Sequence, residues 1–166
     1  MDINTLLKRE PDLVCYYNIK SLFAQKTNTI KSRNDVLDSR SFDIKLFAVD
    51  DPNILKPSED TITGLYDIGW MTGNINYYVN DKKEVVGRLA TKILSLPFGS
   101  IVFEDSRLDL VNVNLDEGGN SQFKPNSVVV SRITSGNKDF VNSTGFVVFF
   151  TDETDIRKIG VFLDKK

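Results

Sequence analysis

From Phe42 onward, apolar and polar positions alternate. Phe42, Ile44, Leu46 and Ala48 interleave with Asp43, Lys45, Phe47 and Val49 before an Asp-Asp-Pro-Asn break, which is the period-two signature of a strand followed by a turn. Short segments rich in Val, Ile, Phe and Tyr follow at 74–80, 85–96, 100–104, 108–115, 128–134, 146–151 and 156–163, separated by Gly, Asn, Asp or Pro. Strands this numerous, without amphipathic helices between them, predict antiparallel pairing and not βαβ units. The predicted fold is mainly β, an antiparallel eight-stranded up-and-down barrel, with a β-sandwich as the alternative. Within the segment at 100–104, alternation turns Ile101 and Phe103 inward and Val102 and Glu104 to the other side.

The first 41 residues read differently. Cys15, Ile19, Leu22 and Phe23 recur near helical spacing after Pro11-Asp12, so a short helix is predicted over 12–25. The following stretch to Ser41 is polar with isolated apolar residues and reads as a linker. The expected organisation is an N-terminal arm over 1–41 and a barrel domain over 42–166. A further loop is expected over 116–127, where Gly118-Gly119-Asn120 and Pro125 supply turn chemistry.

Composition narrows the function classes. At 166 residues, 40% hydrophobic and 27% charged, the chain suits one hydrophobic core. Its net charge of -2 supplies no global field for a phosphate backbone. The N-terminus lacks the basic start and apolar run of a signal peptide, and the single Cys15 forms no internal disulfide. A cytoplasmic or virion location is expected, not a secreted one, and no membrane association. There is no histidine, which removes Ser-His-Asp and Cys-His catalysis and the usual zinc sites. No metal, no cofactor and no catalytic residue is expected, and the balance is against an enzyme.

The remaining motifs carry little chemistry. Acidic groups at Asp50-Asp51, at Glu104-Asp105 with Asp109, and at 151–155 lack the spacing of a calcium loop and read as solvated strand ends. The Ser135-Gly136-Asn137 and Glu117-Gly118-Gly119-Asn120 segments match no phosphate-binding fingerprint and read as turns. Tyr16-Tyr17, Trp70 and Tyr77-Tyr78 suit core or cross-strand positions. Tyr77 and Tyr78 must face opposite sides of a strand, so at most one of them looks inward.

The second half has a familiar order of segments. The run from Asn74 through Val85-Val86-Gly87-Arg88, then Gly99-Ser100-Ile101-Val102-Phe103, then Ile133-Thr134-Ser135-Gly136-Asn137 with Phe140 and Gly145, resembles the barrel of the allene oxide cyclase and dirigent family. Ser135 and Asn137 stand where that family has glycine, and Val49-Asp50 stands where dirigent proteins have a His-Asp pair. The resemblance spans about 42–163. It implies an eight-stranded barrel, often trimeric, enclosing an apolar cavity with a few polar residues at one end. Asp50 maps onto a family pocket position and is expected at a barrel mouth. Arg88, Glu104 and Arg107 are added as charged ligand-binding candidates beside strands, with outward-facing surface charges or ion pairs as the alternative reading.

Three functions follow in order of preference. The first is a non-enzymatic, self-associating structural or interaction module, a component of a larger assembly such as a virus particle, in which Cys15, Ile19, Leu22 and Phe23 of the arm form the contact of a dimer or trimer. The second is a barrel binding a small apolar molecule, catalytic or not. The third and least favoured is nucleic-acid binding through Lys26, Lys31, Arg33 and Arg40, because Asp35 and Asp38 intersperse them. The apolar arm needs a covering surface, on the same barrel or on a neighbour.

Overall fold

The computed structural model of the chain describes residues 3–21, 23–32, 35–49, 66–80, 82, 85–107, 127–151 and 155–164. A short helix α1 (Ile3–Leu6) precedes nine strands: β1 (Leu13–Asn18), β2 (Phe23–Ser32), β3 (Asp35–Ala48), β4 (Tyr66–Val79), β5 (Val85–Leu96), β6 (Gly99–Arg107), β7 (Ser127–Gly136), β8 (Gly145–Thr151) and β9 (Ile156–Leu163). Among the described residues no helix is long and apolar enough to cross a membrane.

All the pairings are antiparallel. From β3 to β9 each strand pairs with the next, β9 pairs with β1, and Tyr16 of β1 opposite Phe47 of β3 closes the ring. The result is the closed eight-stranded antiparallel barrel that the alternation predicted, not the sandwich. The ninth strand, β2, continues the line of β1 along the same edge of β3, from Phe23 opposite Asp43 to Ser32 opposite Asp35. A one-turn 3-10 helix at Ile19–Ser21 interrupts the two.

This corrects the reading of the first 41 residues. Strands β1 and β2 stand where the helix over 12–25 was predicted, and the polar stretch after it is part of the β2–β3 hairpin. A domain boundary at 41 would fall inside β3. In β1 the residues Leu13, Cys15 and Tyr17 pack with the barrel core, and Cys15 lies opposite Ile159 of β9. The ladder with β9 and the packing of alternate residues on the core outweigh a helical spacing that rested on four residues. Arg40, offered as part of a basic surface, is instead a buried residue of β3.

The interior divides into two halves. Towards the end where β5 turns into β6 and β7 leads into β8, the core is apolar and includes Leu94, Ile101, Ile133, Val147 and Val161, with Leu96 and Leu163 packed against it. Phe140, on a short 3-10 helix (Lys138–Phe140), is buried under this end and packs 5.6 Å from Phe98. Its backbone leaves no room beside Gly136, where a Cβ would come within 2.4 Å of the Phe140 carbonyl oxygen. Gly145, at φ +139, opens β8 in a backbone region that favours glycine. Phe140 thus plugs this end of the barrel between Gly136 and Gly145.

The outer face of β8 is apolar as well. Phe146, Val148 and Phe150 face outward beside Phe162 of β9, and Leu6 of α1 packs among them. The segment that follows is tied down by three hydrogen bonds: Asp12 N–H to the Val161 carbonyl, Leu163 N–H to the Asp12 carboxylate at 2.7 Å, and Arg9 Nη2 to the Leu163 carbonyl at 2.9 Å. The covering surface for the N-terminal apolar residues Leu6, Leu13 and Cys15 is therefore the chain's own barrel.

Candidate functional site

On β5 the alternation has an unusual content. Arg88, Ala90, Lys92 and Leu94 are buried while Leu89 and Ile93 are exposed, so two cations point inward and two aliphatic residues outward. The register with β6 enforces this: Leu94 faces Ile101, Lys92 faces Phe103, Ala90 faces Asp105 and Arg88 faces Arg107. Because Ile101 and Phe103 are fully buried, their face is the interior, and every second residue on either side of the ladder follows them inward. Asp105 is carried in on β6, and Tyr77 on β4, directly opposite Arg88.

These side chains form an ionic cluster in the half of the barrel away from the Phe140 plug. Arg88 is 2% exposed, Lys92 5% and Asp105 4%. Arg88 Nη1 bonds one oxygen of Asp105. Lys92 Nζ lies 3.0 Å from the other oxygen, and the Ser131 hydroxyl is 3.5 Å from that same oxygen. Lys92 also sits over the Phe149 ring, with Nζ 4.2 Å from the centroid, a geometry worth about 2 kcal/mol where water is excluded. Aromatic contacts continue from Phe149 to Phe103 at 5.8 Å and to Tyr17 at 6.4 Å.

Burial pushes the Asp105 carboxyl up, but the charges and hydrogen bonds of Lys92 and Arg88 outweigh it and hold the group below the usual carboxylate range. Both of its oxygens accept from cations, so Asp105 is a weak base and an occupied acceptor. Burial pushes the Tyr17 phenol up to about 12, with Arg157 pulling it down, Cys15 adding to the rise and Arg88 pulling it down. Tyr17 lies opposite Arg157 in the β1–β9 ladder. The Tyr77 hydroxyl is fully buried and has no hydrogen-bond partner among the described residues.

Chemically the arrangement gathers the donors of Arg88, Lys92 and Ser131 around one buried carboxylate. Among the described residues no three His, Cys, Asp or Glu side chains gather as metal ligands, and the two cations on Asp105 oppose a metal there.

Of the residues singled out from sequence, Arg88 is in this cluster. Ile101 and Phe103 face inward and Glu104 outward as expected, where Glu104 accepts a 3.4 Å bond from the Thr91 hydroxyl; it does not join the interior group. Arg107 ends β6 opposite Arg88, and its side chain, like that of Phe23, lies outside the described residues, as do Asp50 and Leu22. Cys15 is fully buried in the barrel's own core and offers no surface to a neighbour, while Ile19 is half-buried in the 3-10 turn. Tyr77 faces inward and Tyr78, 41% exposed, outward. Sequence reasoning missed Lys92, Ser131 and the role of Asp105, which was assigned to a solvated strand end. The signal was the alternation itself, extended two residues past Phe103 and two residues either side of Ala90.

No protein-family model matches the chain, and no curated protein matches it. Among solved structures, pyocyanin demethylase shares the fold with a TM-score of 0.55 at 13% sequence identity, over 92% of this chain and 98% of that one. At that identity the likeness is one of fold alone.

Proposed function

We propose that the barrel binds a small organic molecule in the ionic half of its interior. The observation that carries this reading is the Arg88–Asp105–Lys92 cluster, buried in a barrel whose other half is packed with apolar side chains. A buried ion pair is a poor way to gain stability, because desolvation offsets most of the attraction and apolar replacements are often as stable or more so. A barrel serving only as a packed module has no need of one, whereas a binding site does. The resemblance to the allene oxide cyclase and dirigent barrels, with polar residues at one end of the interior, agrees with this reading. So does pyocyanin demethylase, which by its name acts on a small molecule within the same architecture.

The test is a fragment screen on the isotope-labelled full chain, read by amide and side-chain shifts. The reading expects hits whose shifts gather on Tyr77, Arg88, Lys92, Asp105 and Ser131. Hits confined to the outer strands, or none, would overturn it.

The self-associating module is a second reading, favoured by the outer face of β4 and β5. There Trp70 neighbours Ile93 and Tyr78 neighbours Leu89, each at least 36% exposed, two apolar pairs on one face of the kind that contribute to interfaces. Light scattering on the native chain and on Ile93→Glu reads it: an oligomer dissociated by the variant supports it, and a native monomer sinks it.

A further inference from the structure

We infer that α1 is exchangeable between two copies of the chain: the apolar outer face of β7, β8 and β9 is a docking groove that takes the α1 of a second copy, once the turn after Leu6 opens.

The groove comes from the strand register. Val148 of β8 lies between Val130 of β7 and Gly160 of β9, Phe146 lies opposite Phe162, and Phe150 lies opposite Val128, so one outer face is apolar across three strands. The outer face of such a sheet is ordinarily polar. Gly160 leaves a slot in it, where a Cβ would come within 3.0 Å of the Phe162 ring and 3.3 Å of Pro11. Val148 and Phe162 are fully covered, but Val128, Val130, Phe146 and Phe150 keep part of their surface in water. The face is wider than the segment lying on it.

That segment has two unequal parts. Arg9, Pro11 and Asp12 form an anchor, the first and last by their bonds to β9 and Pro11 by its seat on Gly160. Before the anchor comes α1, four residues long with no acidic residue in its first turn and no basic one in its last, far short of the roughly 12–15 residues at which an isolated helix is even marginal. Among its described side chains Leu6 alone is buried, while Asn4 and Thr5 are exposed. A turn closed by the Arg9 N–H on the Leu6 carbonyl, at 3.1 Å, folds α1 back onto the barrel, and Leu7 and Lys8 within it are exposed. A segment held in this way opens at a lower free energy than the barrel beneath it.

Opening the turn frees the seat beside Val148 and Phe162, and the side chain that fits this seat is Leu6. Taking Leu6 from a second copy remakes the contacts that opening breaks, so the cost is chiefly the entropy of association. Extended, residues 7–9 reach only about 10 Å, so two copies that exchange α1 must bring their β7–β9 faces together. That meeting covers Val128, Val130, Phe146 and Phe150 as well, a gain in buried apolar area that the closed chain lacks. The closed form is thus favoured on dilution and the exchanged dimer on concentration.

The test uses the full chain at millimolar concentration. An isotope-labelled chain is mixed in equal amounts with an unlabelled one carrying a nitroxide on Leu7→Cys in a Cys15→Ala background. The amides of Val148, Gly160 and Phe162 in the labelled chain are expected to broaden, and to recover on dilution. Deleting Leu7 and Lys8 removes the turn and with it the competing closed form, so light scattering should show the dimer at a concentration at least about tenfold lower than for the native chain. Leu6→Asp should abolish the dimer and Ile93→Glu should leave it intact. The absence of broadening, or a shortened chain no more dimeric than the native one, overturns the inference. So does a dimer that Ile93→Glu dissociates and Leu6→Asp does not, which belongs to the β4–β5 face.

Discussion

The two halves of one barrel interior are built on the same strands and obey opposite rules. On β5, β6 and β7, Leu94, Ile101 and Ile133 fill one half with apolar side chains above the Phe140 plug. Further along the same three strands, away from the plug, the inward face carries Lys92 and Arg88, then Asp105, then Ser131. The apolar half follows the rule that cores are close-packed hydrocarbon. The ionic half departs from it, and departures of this kind are where function is expected. The lesson is that strand pairing fixes which residues are inside, while their chemistry is free to change along a strand.

The difference is sharpened first by Phe103, at the junction of the halves. Phe103→Ala should lower unfolding free energy by roughly 3–5 kcal/mol in urea melts. A loss within about half a kilocalorie, the surface range, would contradict the inward register. Asp105→Asn comes next, at about 3 kcal/mol, because it leaves Arg88 and Lys92 buried without their carboxylate. An effect below about 1 kcal/mol would mean that water reaches the cluster freely.

The halves should also answer pH from opposite sides. The folded pKa of Asp105 is lowered below its ordinary 3.8, so its stabilisation is present above that value and is lost as pH falls through the lower folded one. Cys15, in the apolar core, is pushed up by burial from 9.0 to about 12. Its contribution is complete below pH 9.0 and declines as pH rises toward 12, by about 1 kcal/mol near pH 10. Denaturant midpoints across pH, with Cys15→Ala and Asp105→Asn as references, check both limbs. An alkaline limb that persists unchanged in Cys15→Ala would contradict the second assignment.

Much of this barrel was legible in advance. β3 announces itself through alternation, and β5 and β9 through their β-branched and apolar content. β1 and β2 were not legible, since Cys15, Ile19, Leu22 and Phe23 fit helical spacing by coincidence and the polar β2–β3 hairpin looks like a linker. Pairing with β9, more than a hundred residues away, decides β1, and no local window contains it. The ionic half was hidden for another reason. On β5 both faces carry apolar residues, Ala90 and Leu94 on one and Leu89 and Ile93 on the other, so only the register with Ile101 and Phe103 identifies the inner face. Charged residues are rarely buried, and that rule assigns Asp105 to solvent until its strand position is followed inward.

On the binding reading, the Arg88, Lys92 and Asp105 cluster is needed for the ligand and not for the fold. Replacing it whole with apolar residues of similar size, Arg88→Met, Lys92→Met and Asp105→Leu together, tests this when urea stability is measured alongside the fragment-induced shifts at Tyr77 and Ser131. Stability equal to that of the native chain or up to about 4 kcal/mol above it is expected, with binding lost. A triple variant several kcal/mol less stable, or one that still binds the fragments as the native chain does, would contradict that reading.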